Sequence, residues 1–424
     1  MKLRLPNKLD IITNIREKGF FHLLSANLLI QVVAFASQLF VAGILAPDDI
    51  GRIKIIQTYL SIFSIIAGMG FNASTLKLCS ENRTSEEQAS LFRSALFFTT
   101  LSTITLYIII LVLNFFKVFS SDNLIHWLIP LGLFPIISNS LFMVFVSYFQ
   151  ATKKIKLMSN LTISNKLISI LLIIILTYFA GIKGYYIAYN VSFLLMLFIC
   201  FRFLHFSFYK GLSLTEITSQ FSTHWHYANK SMYANLLSEM SAYIDILLLS
   251  FFIKDLQQIG YYSFALTITI LLRLFPNTVQ QITTPYFSSL ANQKYDFLIA
   301  FKKYNNILYI VVAVTFIASI IFVPFLIHWI FKGKYDPSML YFPLLALGWS
   351  LRQLAQLQSA AIFGLGKIQY NAYIGLISLI FNTIIISILL HLFGIIGAAY
   401  ASVLGGFVFI LSSRIYFRKA RGEM

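Results

Sequence analysis

Long apolar runs recur along the 424-residue chain, and short polar gaps separate them. A transmembrane helix needs about 20 mainly apolar residues, because each residue adds about 1.5 Å along a hydrocarbon core about 30 Å thick. Twelve runs meet this length: residues 20–46, 53–76, 94–116, 124–149, 157–180, 184–206, 227–253, 259–290, 305–331, 338–363, 368–392 and 395–417. The pattern therefore predicts an all-α polytopic membrane protein with twelve transmembrane helices.

The Lys and Arg residues are distributed unevenly between the two sides of this predicted bundle. With a cytoplasmic N-terminus, about 21 of the 32 fall on the inner side and about 7, Arg52 and Lys54 among them, on the outer side. Cytoplasmic loops carry an excess of Lys and Arg, and an even number of spans also keeps the basic C-terminal segment inside. We therefore expect both termini to be cytoplasmic.

The longest gap between apolar runs divides the chain into halves. Residues 207–226 are predicted to form a cytoplasmic linker between an N-lobe, residues 1–206 with helices 1 to 6, and a C-lobe, residues 227–424 with helices 7 to 12. Gly181–Gly184 matches Gly394–Gly397, 213 residues later, and Gly51 matches Gly260. Halves of six spans insert the same way up, so we predict two parallel repeats, with chance similarity of small-residue motifs as the alternative.

The composition excludes several classes of function. Hydrophobic residues make up 58% of the chain and charged residues 11%, whereas a soluble protein has roughly 25% charged residues. The net charge of +17 lies in short gaps rather than on one polar face, which argues against nucleic-acid binding. Two cysteines, scattered histidines and the lack of a catalytic motif predict no metal site, no cofactor and no enzyme.

Few charged residues lie inside the predicted spans. The cations are Lys166, Lys230, Arg273 and Arg352, and the acids are Glu239 and Asp245. A charge at the bilayer centre costs about 2.5–3.5 kcal/mol on insertion scales, so such groups normally face the bundle interior. The surplus of cations favours an anionic ligand. The alternatives are that the arginines pair with the two acids and that the lysines extend to the inner interface.

Amide side chains form stripes on several of these helices, since a helix turns 100° per residue. They are Asn27, Gln31 and Gln38 in the first span, Asn277 and Gln280 in the eighth, and Gln353 and Gln356 in the tenth. An arginine fork binds phosphate, and amides bind sugar hydroxyls, so we predict that these residues and the four cations bind a phosphate-bearing glycan. Interhelical hydrogen bonds between the amides are the alternative.

The two membrane carboxylates have two interpretations. Glu239 or Asp245 could carry a proton or a sodium ion that couples transport to a gradient, because burial favours the protonated or ion-bound state. Asp245 could instead accept hydrogen bonds that fix the outer end of the seventh span.

Several short motifs resemble one known family. The segments Tyr243–Leu249 and Ile259–Ala265, together with Ala46–Gly51, are similar to the polysaccharide transporter family of the multidrug/oligosaccharidyl-lipid/polysaccharide (MOP) exporter superfamily. The resemblance implies a Wzx-type O-antigen flippase of the bacterial inner membrane, which moves an undecaprenyl-pyrophosphate-linked oligosaccharide to the outer leaflet by alternating access. It also implies membrane lipid as a partner, with a polysaccharide polymerase and a chain-length regulator of lipopolysaccharide biosynthesis as further partners.

Two other functions remain open at this point. A cation-coupled multidrug exporter of the same superfamily would share the fold. Such exporters often carry an acidic residue in the first span, and this span holds only the three amides. A membrane protein that assembles a polymerase without transporting anything is the second alternative.

Overall fold

The chain folds almost entirely into helices. The computed structural model describes residues 20–81, 83–203, 214–290 and 293–423, and side chains within them except at 20–30, 214–215, 281–282 and 285. The helices are α1 (Phe20–Ile44), α2 (Pro47–Gly68), α3 (Phe71–Cys79), α4 (Ser85–Phe115), α5 (Asn123–Leu133), α6 (Pro135–Ala151), α7 (Ile155–Arg202), α8 (Leu214–Ser219), α9 (Phe221–Phe252), α10 (Leu256–Ile268), α11 (Ile270–Ser289), α12 (Lys294–Phe331), α13 (Phe342–Leu354), α14 (Gln356–Gly364), α15 (Ile368–Phe393) and α16 (Ile395–Gly422). A 3₁₀ turn, Asp336–Leu340, precedes α13.

The helices match the apolar pattern of the sequence. Within the described ranges, nine helices are long and apolar enough to cross a membrane. One of them, α7, has 48 residues and contains a sharp turn that divides it in two. Each predicted apolar run lies on one helix, on half of α7 or on two successive helices. The result is a multi-pass, helical membrane protein.

Polar caps fix where several helices begin. Thr84 accepts a hydrogen bond from the Glu87 backbone, and the Glu87 side chain accepts one from Thr84, which forms a capping box at α4. Asp122 caps α5 and Asp255 caps α10. In each case the aspartate side chain accepts a hydrogen bond from the backbone of the first turn. We call the end that holds residues 45–46, 253–255 and 332–335 the outer end, after the predicted topology, and the opposite end the inner end.

Two glycine turns have the same geometry. Gly181 has φ 56° and ψ −141°, and Gly394 has φ 64° and ψ −151°, a conformation that only glycine adopts readily. A Cβ added at Gly184 would lie 1.8 Å from the carbonyl oxygen eight residues earlier, and one at Gly397 would lie 2.0 Å from the equivalent oxygen. The backbone therefore follows the same path at both matching motifs.

The closest approach between the halves is a crossing of α2 and α10. A Cβ added at Gly51 would lie 2.5 Å from the Leu256 carbonyl oxygen, and one at Gly260 would lie 1.8 Å from the Pro47 carbonyl oxygen. Small residues allow helix backbones to approach closely in a membrane. An offset of 209 residues relates Pro47 to Leu256 and Gly51 to Gly260, so the two contacts are equivalent and the crossing has the symmetry that two parallel repeats would produce.

A second contact at the outer end also joins the halves. The Lys334 ammonium donates to the carbonyl oxygens of Ala42 at 3.0 Å, Gly43 at 3.1 Å and Leu45 at 2.5 Å, where α1 ends. The Tyr335 hydroxyl donates to Ala42 at 3.1 Å. A cation at a helix C-terminus is favourable because unpaired carbonyls collect there. Partial burial lowers the pKa of Lys334 below its ordinary value.

The hydrophobic core is shared at the outer end and divided at the inner end. One cluster combines residues of both halves, such as Ile56 and Tyr262. Two further clusters lie nearer the inner end, one around Phe145 of α6, on which Phe221 of α9 also packs, and one around Phe297 of α12, built from the C-terminal half alone. The halves therefore share one core at the outer end and have largely separate cores at the inner end, where the first turns of α9 connect them. We use N-lobe for α1–α7 and C-lobe for α9–α16.

The predicted linker, residues 207–226, overlaps α9, which begins at Phe221 rather than at 227. Residues 204–213 lie outside the described part. His224 is fully buried and hydrogen-bonds to the Ser74 hydroxyl at 2.8 Å and the Leu91 carbonyl at 3.0 Å, so the first turns of α9 pack on the N-lobe. A hydropathy window misses these turns because their polar side chains are buried through hydrogen bonds.

Candidate functional site

A cluster of cations lies in the interior of the bundle, where Arg352 lines a small cavity of the C-lobe together with Asp245 and Tyr262. Arg273 projects from α11 and Arg352 from α13, and both guanidinium groups face the Trp349 ring, at 3.4 and 4.8 Å from its centroid. Each contact is a cation–π interaction worth about 0.5–2 kcal/mol. The shared indole holds the two like charges on one surface, so the structure brings these two residues together.

Lys54 is a third cation of this cluster, whereas the distribution of charges along the sequence predicts it on the outer side. Because α2 begins at Pro47, Lys54 lies two turns inside the helix, where it is half-buried. Its ammonium lies 5.8 Å from the Tyr243 ring centroid and within electrostatic range of Asp245 and Arg273. The sequence does contain a signal for this early start of α2. Pro47 is followed by two aspartates, which is typical of the first turn of a helix but is not detected by a hydropathy window.

The two carboxylates do not neutralise the arginines directly. Among the described residues, no Arg273 or Arg352 nitrogen lies within 4.0 Å of a Glu239 or Asp245 oxygen, so the alternative of interior ion pairs is not observed. Asp245 instead accepts hydrogen bonds from the Ile246 backbone at 2.8 Å and the Tyr262 hydroxyl at 3.1 Å. The described interior of the bundle therefore holds three cations of this cluster and only two acids, Glu239 and Asp245.

One arginine nitrogen is left without a partner. The Nε atom of Arg273 is buried and makes no hydrogen bond to any described residue. A buried donor that lacks a partner costs about 1–3 kcal/mol, and more if it is charged. An anionic ligand at Trp349 would supply the missing acceptor.

A central cavity of about 270 Å³ opens beside this cluster, at the junction of α1, α2, α7 and α10. Lys54 contributes its only cation among the described residues, and Gln38, Gln57 and Thr267 contribute amide and hydroxyl groups. The Gln57 amide donates to the Tyr185 hydroxyl at 2.5 Å. The predicted residue Gln38 therefore lines a cavity between the lobes.

The amides of the eighth and tenth spans bind one another. Gln356 Nε2 donates to Asn277 Oδ1 at 2.6 Å and to Gln280 Oε1 at 2.5 Å, which joins α14 to α11. This is the interhelical alternative to sugar binding. Gln353 is buried, and its Oε1 has no partner among the described residues.

The remaining predicted residues do not join the cluster. Lys166 on α7 and Lys230 on α9 have exposed side chains and do not line the cavities described here. Gln31 is partly exposed on α1, and the side chain of Asn27 lies outside the described part. The interior surplus of positive charge therefore comes from Lys54 and not from these lysines.

The fold and the charged interior define a multi-pass helical membrane protein with cations among its buried side chains. The chain belongs to the polysaccharide biosynthesis protein family, whose model matches residues 17–291. This finding confirms the resemblance noted in the sequence. No curated protein sequence matches the chain.

Solved structures share the fold at low sequence identity. A lipid II flippase, MurJ, in an inward closed conformation aligns with a TM-score of 0.79 and 17% identity, over 93% of this chain and 87% of that chain. An inward-facing multidrug resistance MATE family transporter of the MOP superfamily aligns with a TM-score of 0.73 and 15% identity, over 93% and 96%. A MOP superfamily transporter from Pyrococcus furiosus gives 0.63 and 14%, over 94% and 96%.

Proposed function

We propose that the protein is a flippase for an undecaprenyl-pyrophosphate-linked oligosaccharide, an O-antigen-type repeat unit, in the bacterial inner membrane. Twelve transmembrane helices would form two parallel six-helix repeats with both termini in the cytoplasm. The matching turns at Gly181 and Gly394 and the symmetric crossing of Gly51 and Gly260 support the two repeats. Such a protein transports its substrate without chemical change and needs no cofactor.

The observation that carries this proposal is the pair of arginines on Trp349. Neither is paired with a carboxylate, and the buried Arg273 Nε lacks an acceptor. Arginine presents a planar fork that matches two phosphate oxygens, and its charge-assisted hydrogen bonds are about twice as strong as neutral ones. The diphosphate would therefore bind at Arg273 and Arg352, with Lys54 on the N-lobe side.

The division of the hydrophobic core suggests how the lobes would move. They share a core at the outer end and have largely separate cores towards the inner end, where the contact of the first turns of α9 with the N-lobe would have to give way for the lobes to part. Alternating access would then break the outer contacts and close the inner ones. The sugars would cross between the lobes while the polyprenyl tail stays in lipid.

A gradient could drive the cycle through Glu239 or Asp245, by binding of a proton or a sodium ion. Both lie on α9, which contacts both lobes, so neutralising either would change a contact between them. We expect transport to depend on pH, sodium or membrane potential. Transport that is insensitive to all three would remove this part of the proposal.

The test is the leaflet location of the lipid-linked glycan in cells depleted of the protein. A lectin or glycosidase that reaches only the outer leaflet should detect less glycan, and glycan should accumulate on the cytoplasmic side. Restoration with Arg273→Ala/Arg352→Ala should be reduced at least about tenfold, because two charge-assisted hydrogen bonds worth about 1.5–3 kcal/mol each are lost.

The matched control is Arg414→Ala/Arg418→Ala, which removes two exposed arginines of α16 and should restore export at equal protein levels. Unchanged outer exposure after depletion would contradict the flippase. It would favour the multidrug exporter, which should then confer resistance to amphipathic cations, or the partner of a polymerase. Full restoration by the interior double variant would contradict the assignment of the site.

A further inference from the structure

A second, polar cavity lies between the lobes, on the inner side of the cationic cluster. It has a volume of about 250 Å³ at the junction of α2, α3, α6 and α9. Its polar lining consists of Ser61, Ser64, Asn72, Asn139, Ser140, Asn235 and Glu239. None of the three cations of the cluster lines it, so its chemistry differs from that of the proposed diphosphate site.

Several of these polar groups have no protein partner. The side-chain amides of Asn72 and Asn139 are half-buried and make no hydrogen bond to any described residue, and the Ser64 hydroxyl is buried without a partner. A buried polar group without a partner, such as the Ser64 hydroxyl, is rare in proteins and requires an explanation. Two free amides and a free hydroxyl around one cavity match a ligand that both donates and accepts hydrogen bonds, as sugar hydroxyls do.

The charge of the cavity restricts which sugars it can accept. Glu239 is the only charged side chain in its described lining, and the Ser61 hydroxyl lies close to that carboxylate. A carboxylate accepts hydrogen bonds from neighbouring sugar hydroxyls, but it repels a second carboxylate in a site of low dielectric constant. An uncharged sugar is therefore favoured over a uronic acid.

The cavity lies at a suitable distance from the diphosphate site. Glu239 precedes Asp245 by six residues on α9, which is about 9 Å along a helix, and Ser61 follows Lys54 by seven residues on α2, which is about 10 Å. Helices α2 and α9, which belong to different lobes, thus give nearly the same distance between the inner cavity and the cationic cluster. That length allows the first sugar after a bound diphosphate to reach the cavity.

We propose that this inner cavity binds the sugar next to the diphosphate and selects uncharged sugars over uronic acids at that position. The proposal rests on the proposed flippase function and adds a substrate class to it. Asn72 and Asn139 bind the hydroxyl or acetamido groups of the sugar, and Glu239 excludes a sugar carboxylate. The arginine cluster contributes affinity for the diphosphate whichever sugar is attached.

The experiment measures binding of three synthetic lipids to the full-length protein in nanodiscs. The lipids are polyprenyl diphosphate, polyprenyl diphosphate linked to an N-acetylhexosamine, and polyprenyl diphosphate linked to a hexuronic acid. The wild type should bind the N-acetylhexosamine lipid about tenfold more tightly than the bare diphosphate, since the sugar adds hydrogen bonds to both asparagine amides. It should bind the hexuronic acid lipid no more tightly than the bare diphosphate.

Two variants separate the cavity from the diphosphate site. Asn72→Ala/Asn139→Ala should lose the tenfold gain and keep the affinity for bare polyprenyl diphosphate, whereas Asn160→Ala/Asn306→Ala, two exposed asparagines, should retain the gain. Glu239→Gln should raise affinity for the hexuronic acid lipid about tenfold, because the like charge is removed while the side-chain size is kept.

The possible failures are distinguishable. If the wild type binds none of the three lipids, the proposed function itself is wrong. If it binds all three but Asn72→Ala/Asn139→Ala retains the full gain from the sugar, the cavity does not bind it and the flippase proposal stands. An unchanged preference in Glu239→Gln would overturn the selection by charge.

Discussion

The outer and inner ends of the interface between the lobes are built from different kinds of contact. At the outer end the contacts involve backbone: the glycine crossing of α2 and α10, and the carbonyls at the end of α1 that Lys334 caps. Further inward, cavities with polar linings lie between the lobes, which meet there at the first turns of α9, where His224 is buried on the N-lobe and Ala228 approaches Gly70. The outer end is thus a close fit of shape, and the inner end leaves room for a polar ligand.

In the proposed cycle, this difference would allow one end of the interface to hold while the other end opens. Backbone contacts between small residues gain dispersion energy but tolerate no added atom, so the outer end has essentially one packed arrangement. Polar side chains around a cavity can exchange partners with a ligand. The cationic cluster lies between the two regions, where a bound diphosphate would be in contact with both lobes.

The largest expected effect comes from adding one methyl group to the outer crossing. Gly260→Ala would place a Cβ 1.8 Å from the Pro47 carbonyl oxygen, so the helices must separate. Overpacking typically costs about 1–3 kcal/mol, and we expect the midpoint of thermal unfolding in detergent to fall by several degrees. Export should fall as well, because the outer contacts no longer close.

Gly375→Ala is the control for this variant, because a Cβ at Gly375 would meet nothing within 4 Å. It should be neutral or slightly stabilising, since alanine favours a helix by up to about 1 kcal/mol over glycine. If both variants unfold at the same temperature, the crossing is looser than the structure indicates.

An intermediate effect is expected from Lys54→Gln, which removes one cation from the central cavity. Loss of one charge-assisted hydrogen bond to phosphate, worth about 1.5–3 kcal/mol, should lower export about tenfold or more. Thermal stability should be unchanged, because Lys54 forms no ion pair with any described residue.

Lys183→Gln makes the same change at an exposed position of α7, and it should leave both export and stability as in the wild type. Export that is unaffected by Lys54→Gln would restrict the anion site to the two arginines. A loss of stability would instead assign Lys54 a structural role.

The smallest effect is expected from Lys334→Met, which removes the charge at the end of α1. A cation at a helix C-terminus contributes about 0.3–1 kcal/mol, so the outer end should open about two- to fivefold more often. The measurement is the rate at which a membrane-impermeant thiol reagent labels Val41→Cys, since Val41 is buried and lines the central cavity.

Lys332→Met removes an exposed charge two residues away and should not change the labelling rate of Val41→Cys. The native cysteines, Cys79 and Cys200, are buried and provide little background. Equal labelling in both variants would mean that the Lys334 contacts do not hold the outer end closed.

Much of the fold follows from local features of the chain. The apolar runs predict the positions of the helices, because length and hydropathy together decide whether a helix suits a membrane. The paired Gly motifs predict equivalent turns, since the positive φ at Gly181 and Gly394 requires glycine. The interior arginines could also be identified from the sequence. A charged residue inside an apolar run is rare, because placing its charge in the membrane costs free energy.

The candidate site was only partly predictable. Arg273 and Arg352 are 79 residues apart, and only the packing of α11 against α13 brings both to Trp349. Gln356, Asn277 and Gln280 looked equally suitable for sugar binding, but their hydrogen bonds to one another depend on how α14 lies on α11. Periodicity gives the face of a helix on which a residue lies, and it does not give the neighbour of that face.

The sequence by itself determined that this is a helical membrane protein of the polysaccharide biosynthesis family with interior cations, because hydropathy and helix signals act locally along the chain. The tertiary structure alone decided that Lys54 joins those cations, that Lys166 and Lys230 do not, and that an amide-lined cavity lies on their inner side. These outcomes depend on contacts between segments far apart in the chain, and it is the close crossing of α2 and α10 at two glycines that sets the distance between the lobes.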